Sequence, residues 1–181
     1  MTFEDIYSIF KLELDGEEFD TDDDAVLACN IAFREVLDDR DWKFLIKTVT
    51  LTAGTLSLAS ILDLDKVTNV YVADSIEPLK KATYENRFDT DYDYYIDLAN
   101  NSIGLINSEY NNSDLIIDYK YYPADFTLVN TLTLNERLKP CIAYKMCLTY
   151  YRKDQDLSTY EKLENHYDSS MNQLIMHNEN L

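Results

Sequence analysis

The stretch DDRDWKFLIKTVTLTAGTLSL, residues 38–58, is where the chain changes its period. Upstream of it, apolar residues recur every three or four positions. Downstream, from Lys43, the period is two: Leu45, Lys47, Val49 and Leu51 alternate with Phe44, Ile46, Thr48 and Thr50. That is the pattern of a half-buried strand rich in β-branched residues. Ala53-Gly54 supplies a turn before Leu56 and Leu58. The only tryptophan, Trp42, stands at the switch. A large aromatic there is expected to cover the junction of two small cores, its indole N–H reaching a carbonyl. An exposed interface anchor is the other reading.

Upstream of Trp42, Phe3, Ile6, Tyr7, Ile9, Phe10 and Leu14 predict a short helix over 3–14. Thr21 with Asp24 three residues later resembles a capping box, and acids at 22–24 suit a helix N-terminus. The helix that follows carries Val26, Cys29, Phe33 and Leu37 on one stripe. Leu27, Ile31 and alanines 25, 28 and 32 widen it, so this helix is expected to pack on more than one side. It should end near Asp38, Asp39 and Asp41, which suit a helix C-terminus poorly.

Downstream, further strands are expected at 70–72, at Tyr94, Ile96 and Leu98, at 103–106 after the turn ANNS, and over 115–122, where Leu115, Ile117, Tyr119 and Tyr121 alternate with Ile116, Asp118, Lys120 and Tyr122. Pro123 ends the last of these. One or two helical turns are expected within 78–88. A helix near 134–152 has Leu138, Ile142 and Met146 on one stripe, and Pro140 should kink it or shift its start. KDQD, 153–156, separates it from a last helix opened by Ser158-Thr159-Tyr160-Glu161, an S-x-x-E capping box. The order is helix, helix, strands, helix, helix. The fold expected is α+β: a bundle of about four helices from 1–42 and 134–181, with an antiparallel β block, 43–133, inserted into it.

Composition restricts the function. The chain has 181 residues, 34 acids against 16 bases, and a formal charge of −18. Residues 1–41 hold 14 of the acids and three bases, a net −11. Such a surface argues against direct phosphate binding and against an anionic membrane. A solvated, self-repelling surface accounts for it, as does a wall that must not stick to DNA, or one that imitates it. The N-terminus lacks the features of a signal peptide and no run reaches transmembrane length. Cys29, Cys141 and Cys147 show no C-x-x-C and are expected as buried free thiols in a reducing compartment. With three glycines in all, a glycine-rich phosphate cradle is not available.

No catalytic motif is present, so neither catalytic nor metal-binding residues are expected, and no cofactor. His166 and His177 are eleven apart, about three helical turns, too far to share one metal ion. DTDYDYY, 89–95, has calcium-loop spacing but offers Tyr94 where that loop needs Gly and Asn100 where it needs Glu. Fifteen tyrosines suit either strands or protein interfaces. The tail MNQLIMHNENL reads as a fraying helix end or as a segment that orders on a partner. Met171, Leu174, Ile175, Met176 and Leu181 are its candidate partner contacts.

Taken in order, RDWKFL, TLTAGTLSLAS, DLDKVTNVYV, YYIDLANNSIGLI, DLIIDYKYYPADFTL, NERLKPCIAYKMCLTYY and KLENHYDSSMNQLI form a pattern over roughly residues 22–176. The set resembles the head-to-tail adaptor, or ring, proteins of tailed bacteriophages, those of short-tailed phages in particular. LASILDLDKV departs from that pattern by lacking a proline after the turn. The resemblance implies a virion protein at the head–tail junction, assembled in the host cytoplasm. It implies a homo-oligomeric ring, commonly of twelve copies, beneath the portal. Such a ring bridges portal to tail or further ring proteins, often through the C-terminal segment, and its lumen passes DNA without binding it. An acidic wall would let DNA slide. The alternatives from the residues themselves are an acidic DNA mimic or other protein-binding module, and, motivated only by spare Cys, His and Asp, an enzyme.

Overall fold

A computed structural model describes residues 1–61, 63–151 and 156–181. Four helices and five strands follow the order expected: α1 (Phe3–Glu13), α2 (Asp22–Asp38), β1 (Ile46–Leu51), β2 (Leu64–Val72), β3 (Tyr94–Asp97), β4 (Ser102–Leu105), β5 (Leu115–Tyr121), α3 (Leu138–Tyr150) and α4 (Leu157–Glu179). The fold is mixed α+β. The chain forms two compact units, a helical one from Met1–Phe44 with Pro123–Leu181 and a β one from Leu45–Tyr122.

In the helical unit, α3 packs against α1, α2 and α4. Its Leu138, Cys141, Ile142, Ala143, Met146 and Cys147 are all buried. They spread over about two-thirds of the helix circumference, as a helix packed against three others requires. Pro140 is its third residue, in the turn whose N–H groups have no partner within the helix, so it costs no hydrogen bond. The start therefore moves from 134 to Leu138, and residues 135–137 form a turn held by Leu138 N–H to Asn135 O, 3.0 Å. Thr2 and Asp5 form a full capping box on α1. On α2 the Thr21 hydroxyl oxygen accepts the Asp24 N–H at 3.1 Å and donates to the Asp24 carboxylate at 2.7 Å, which is half of the expected box. The cap of α4 is Asp156, not Ser158: its carboxylate accepts from Ser158 N–H (3.0 Å) and from the Thr159 hydroxyl (2.6 Å). Lys153 to Gln155, the first three residues of the separator, lie outside the described residues.

Residues 123–133, placed with the strands by the sequence reading, belong to the helical unit. Pro123 closes β5, and the next residues then lie along α2. Asn30 of α2 grips the backbone of Phe126 from both sides, donating Nδ2–H to its carbonyl (3.0 Å) and accepting its N–H (2.7 Å). The Phe126 ring meets Phe33 edge-on at 5.1 Å. Arg34 adds an ion pair to Asp125, and Thr2 bridges Thr131.

In the β unit, β5 is the centre of a three-stranded antiparallel sheet, order β1-β5-β2. Val49 and Val70 flank Ile117, and Leu51 and Val72 flank Leu115. That face joins Leu58, Tyr94 and Ile103 in one apolar core. The other face carries exposed Thr48, Thr50 and Asn69 beside Asp118, the one-sided alternation of an antiparallel sheet. β3 and β4 form a hairpin, turned by Asn101 at φ 46 and by Asp97, whose carboxylate accepts the N–H groups of Ala99 and Asn100.

Three expectations are corrected here. Residues 43–45 make a 3-10 turn before the strand begins. Leu56 and Leu58 make no strand of their own; they flank an isolated bridge from Ser57 to Ser102 on the free side of β4. No helix forms within 78–88. Instead Leu79 N–H reaches Val70 O (2.7 Å), and Ala82 N–H reaches Tyr94 O (2.7 Å), so the segment stitches β2 to β3. Pairing two otherwise open edges outweighs the weak helical pattern there.

Gly104 lies opposite Tyr95 in the hairpin, whose ring covers it: a Cβ on Gly104 would fall 2.2 Å from the ring carbon Cζ. A Gly104→Val substitution is expected to swing that ring off the hairpin and out of its edge contact with Tyr84, now at 6.1 Å. Overpacking of this kind costs about 1–3 kcal/mol. Urea unfolding followed by near-UV tyrosine dichroism checks it, and an unchanged midpoint would mean the ring is free to leave.

Candidate interaction surfaces

The cysteines and the acidic run each have a definite place in the fold. Cys29, Cys141 and Cys147 are buried free thiols, and burial pushes each up to about 12. A thiol held neutral is a poor nucleophile. In the folded protein all three are expected to resist a thiol-reactive dye and to react fully once denaturant is added; rapid labelling of the native chain would contradict their packing. The acidic run 89–95 does not converge on a point. Asp89 accepts the Asp91 N–H (3.0 Å) and Asp93 accepts the Lys80 N–H (2.8 Å), so these carboxylates fold the loop. Among the described residues no cluster of His, Cys, Asp and Glu could hold a metal ion. Nor is any helix there long and apolar enough to cross a membrane.

One polar cluster joins three helices at Glu13. The Tyr144 hydroxyl donates to its Oε1 at 3.2 Å, and Lys162 Nζ and His166 Nδ1 lie 3.5 and 3.6 Å from its Oε2. Tyr144 also meets the His166 ring edge-on at 5.2 Å. This ties α1, α3 and α4 together at one carboxylate. His177 stands on the last turn of α4, eleven residues beyond His166.

The candidate contacts on the last helix separate into two kinds. Met171 and Leu174 are buried in the helical unit's own core, Ile175 is half-buried, and Met176 and Leu181 are exposed. The reason is the 3–4 spacing: Met171, Leu174 and Asn178 share the inward stripe. Asn178, also buried, accepts the Lys43 N–H through Oδ1 at 2.6 Å, and Lys43 Nζ donates to Glu179 O. The tail is a docked helix through Glu179, so of the five residues Met176 and Leu181 are the ones open to a partner. Trp42 is wholly buried. Its indole N–H donates to Val36 O at 3.0 Å and its ring stacks on Phe44 at 5.3 Å.

No protein-family model matches this chain, and no curated protein matches it. Its surfaces must therefore be read from their own chemistry. Two were not anticipated from sequence. In the β unit, Arg87 lies over the rings of Tyr84 (4.0 Å) and Phe88 (4.6 Å), and Phe88 is 82% exposed. Arginine on aromatics is the composition of an interface hot spot. In the helical unit, Leu27 and Ile31 of α2 are exposed beside Phe19 and Tyr150. Both surfaces escape a linear reading. The sequence shows Leu27 and Ile31 widening an apolar stripe, and only packing decides which part of a wide stripe is left uncovered.

Among the described residues, five carboxylates are held below their ordinary range by hydrogen bonds: Asp5 by Thr2, Asp63 by Lys47, Asp97 by Asn100, Glu136 by Lys139 and Asp156 by Thr159. The unfolded chain takes up these protons first as pH falls. Their contribution is complete above about pH 4, the ordinary carboxylate range, and is lost as pH drops through the lower folded values. Asp156→Asn keeps a competent cap without a titrating group. It is expected to flatten the acid limb of a stability profile between pH 5 and 2; an unaltered limb would remove the Asp156 cap from the account.

Proposed function

We propose that this protein is a head-to-tail adaptor of a tailed bacteriophage, a structural virion protein. In this reading copies form a ring, of twelve by the family's habit, between portal and tail, and DNA passes through its lumen. One observation carries the reading. The ordered set of motifs from RDWKFL to KLENHYDSSMNQLI resembles such adaptors, and the chain that bears it is a four-helix unit interrupted by a five-stranded β unit. The acid excess supports it, since a negatively charged wall disfavours DNA adhesion. Arg87 with its aromatics and the exposed Met176 and Leu181 supply contact chemistry for neighbours.

The test is electron microscopy of the protein mixed with the portal of the same phage, with mass measurement of the protein alone. A ring of fixed copy number stacked on the portal is the expected result. A protein that stays monomeric and ignores portal and tail alike would overturn it. The second reading, an acidic module that binds a basic protein, is favoured by the exposed acids at the start of α2. A salt-sensitive complex with a DNA-binding protein, competed away by DNA, would support it.

A further inference from the structure

The helical unit carries a groove of about 470 Å3 between α2, the loop before it and the end of α3. Its apolar surface comes from Leu27, Ile31, Phe19 and Tyr150. Leu27 and Ile31 are one helical turn apart, so they form a continuous stripe, and they are 59% and 44% exposed. Glu18, Asp20 and Asp24 edge the groove, and among the described residues no Lys or Arg lines it. Lys11, which is not among the lining residues, lies 3.8 Å from Glu18.

The wall is fixed before anything binds. Phe19 is held between Phe10 (5.1 Å) and Tyr150 (5.0 Å), and its N–H donates to the Tyr7 hydroxyl. The Tyr150 hydroxyl bonds Glu17 and the Glu18 carbonyl, which pins the loop to α3. A preformed groove spares the ordering cost of binding.

We propose that this groove is a docking site for an amphipathic helical segment of a partner protein, whose apolar stripe is flanked by lysine or arginine. The apolar floor fits anchors at helical spacing. The one-sided acidic rim is complementary to basic flanks, and it disfavours an acidic segment, including most of this chain's own surface. The proposal is independent of the adaptor reading, because it concerns a surface and not the assembly.

The test uses three synthetic peptides of about eighteen residues, five helical turns. The first sets leucine at helical spacing with lysine flanks. The second replaces lysine by glutamate. The third scrambles the first to destroy the stripe. Fluorescence anisotropy of each is titrated with the protein, with Leu27→Ser/Ile31→Ser, and with Glu18→Gln/Asp20→Asn. Both substituted pairs are on the surface, and dichroism confirms that they fold. The first peptide is expected to bind at least tenfold tighter than the other two. The Leu27/Ile31 variant should lose that preference, and the Glu18/Asp20 variant should weaken binding while reducing its salt dependence. Equal binding of the scrambled peptide would mean general attraction to an acidic protein and would overturn the proposal, as would binding that the groove variants do not change. Self-association of the protein abolished by Leu27→Ser/Ile31→Ser would identify a second copy as the occupant and overturn it too.

Discussion

Trp42→Ala is expected to destabilise the helical unit by about 3–5 kcal/mol, the range for removing a buried large aromatic. The side chain is wholly buried. Its removal forfeits the stack on Phe44, the contact of the Arg40 guanidinium over the ring at 5.4 Å, and the hydrogen bond to Val36 O. That last bond lies just before the end of α2, where carbonyls have no partner within the helix, so the indole acts as a C-terminal cap from six residues downstream. Trp42→Phe separates the two contributions. It keeps most of the apolar volume and orphans the Val36 carbonyl, a cost of about 1–3 kcal/mol. Urea unfolding followed by helical dichroism gives both values. Because the β unit has its own core, the helical signal should be fitted as a transition of its own rather than assumed to coincide with unfolding of the β unit. An alanine variant within 1 kcal/mol of wild type would be incompatible with this packing.

Phe126→Ala should cost a similar amount, about 3–5 kcal/mol. Phe126 is 1% exposed and is held through its backbone by Asn30 as well as through its ring by Phe33. Asn30→Leu removes the backbone grip while keeping side-chain bulk. It leaves a part-buried N–H and C=O without their partner, at about 1–3 kcal/mol each when fully desolvated. The two substitutions act on one segment, so their effects should fall short of additive. Once the ring is gone, residues 123–133 have less reason to stay on α2, and the Asn30 bonds have less to hold. Strict additivity in a double-mutant cycle would mean that ring and backbone grip are independent. These two residues decide where the chain returns from the β unit to the helical one. In sequence Asn30, with Phe33, belongs to the acidic helix that precedes RDWKFL in the resemblance, but its grip on Phe126 is not legible there, because that partner is 96 residues away.

The order of elements was legible because it rests on local periodicity. A period near 3.6 marked α1, α2 and α4, and a period of two marked β5, the strand that lies at the centre of its sheet. The cap at Thr21, the turn at Asn101 and the stop at Pro123 are local chemistry too. Where expectation and structure part, a distant partner intervenes. Residues 78–88 are extended because Val70 and Tyr94 offer them backbone partners. Met171 and Leu174 are core because α4 lies against α3, whereas their spacing alone fitted a partner-facing stripe equally well.

By itself, then, the sequence determined the mixed α+β class, the insertion of a β unit within a helical one, and a net charge of −18. Each follows from composition or from contacts within a few residues. Tertiary structure alone decided which side of α2 stays bare, which end of the last helix is open, and that residues 123–133 side with the helices. Exposure is a property of what covers a residue, and the covering groups here, from Phe126 over α2 to Asn178 under Lys43, come from far along the chain.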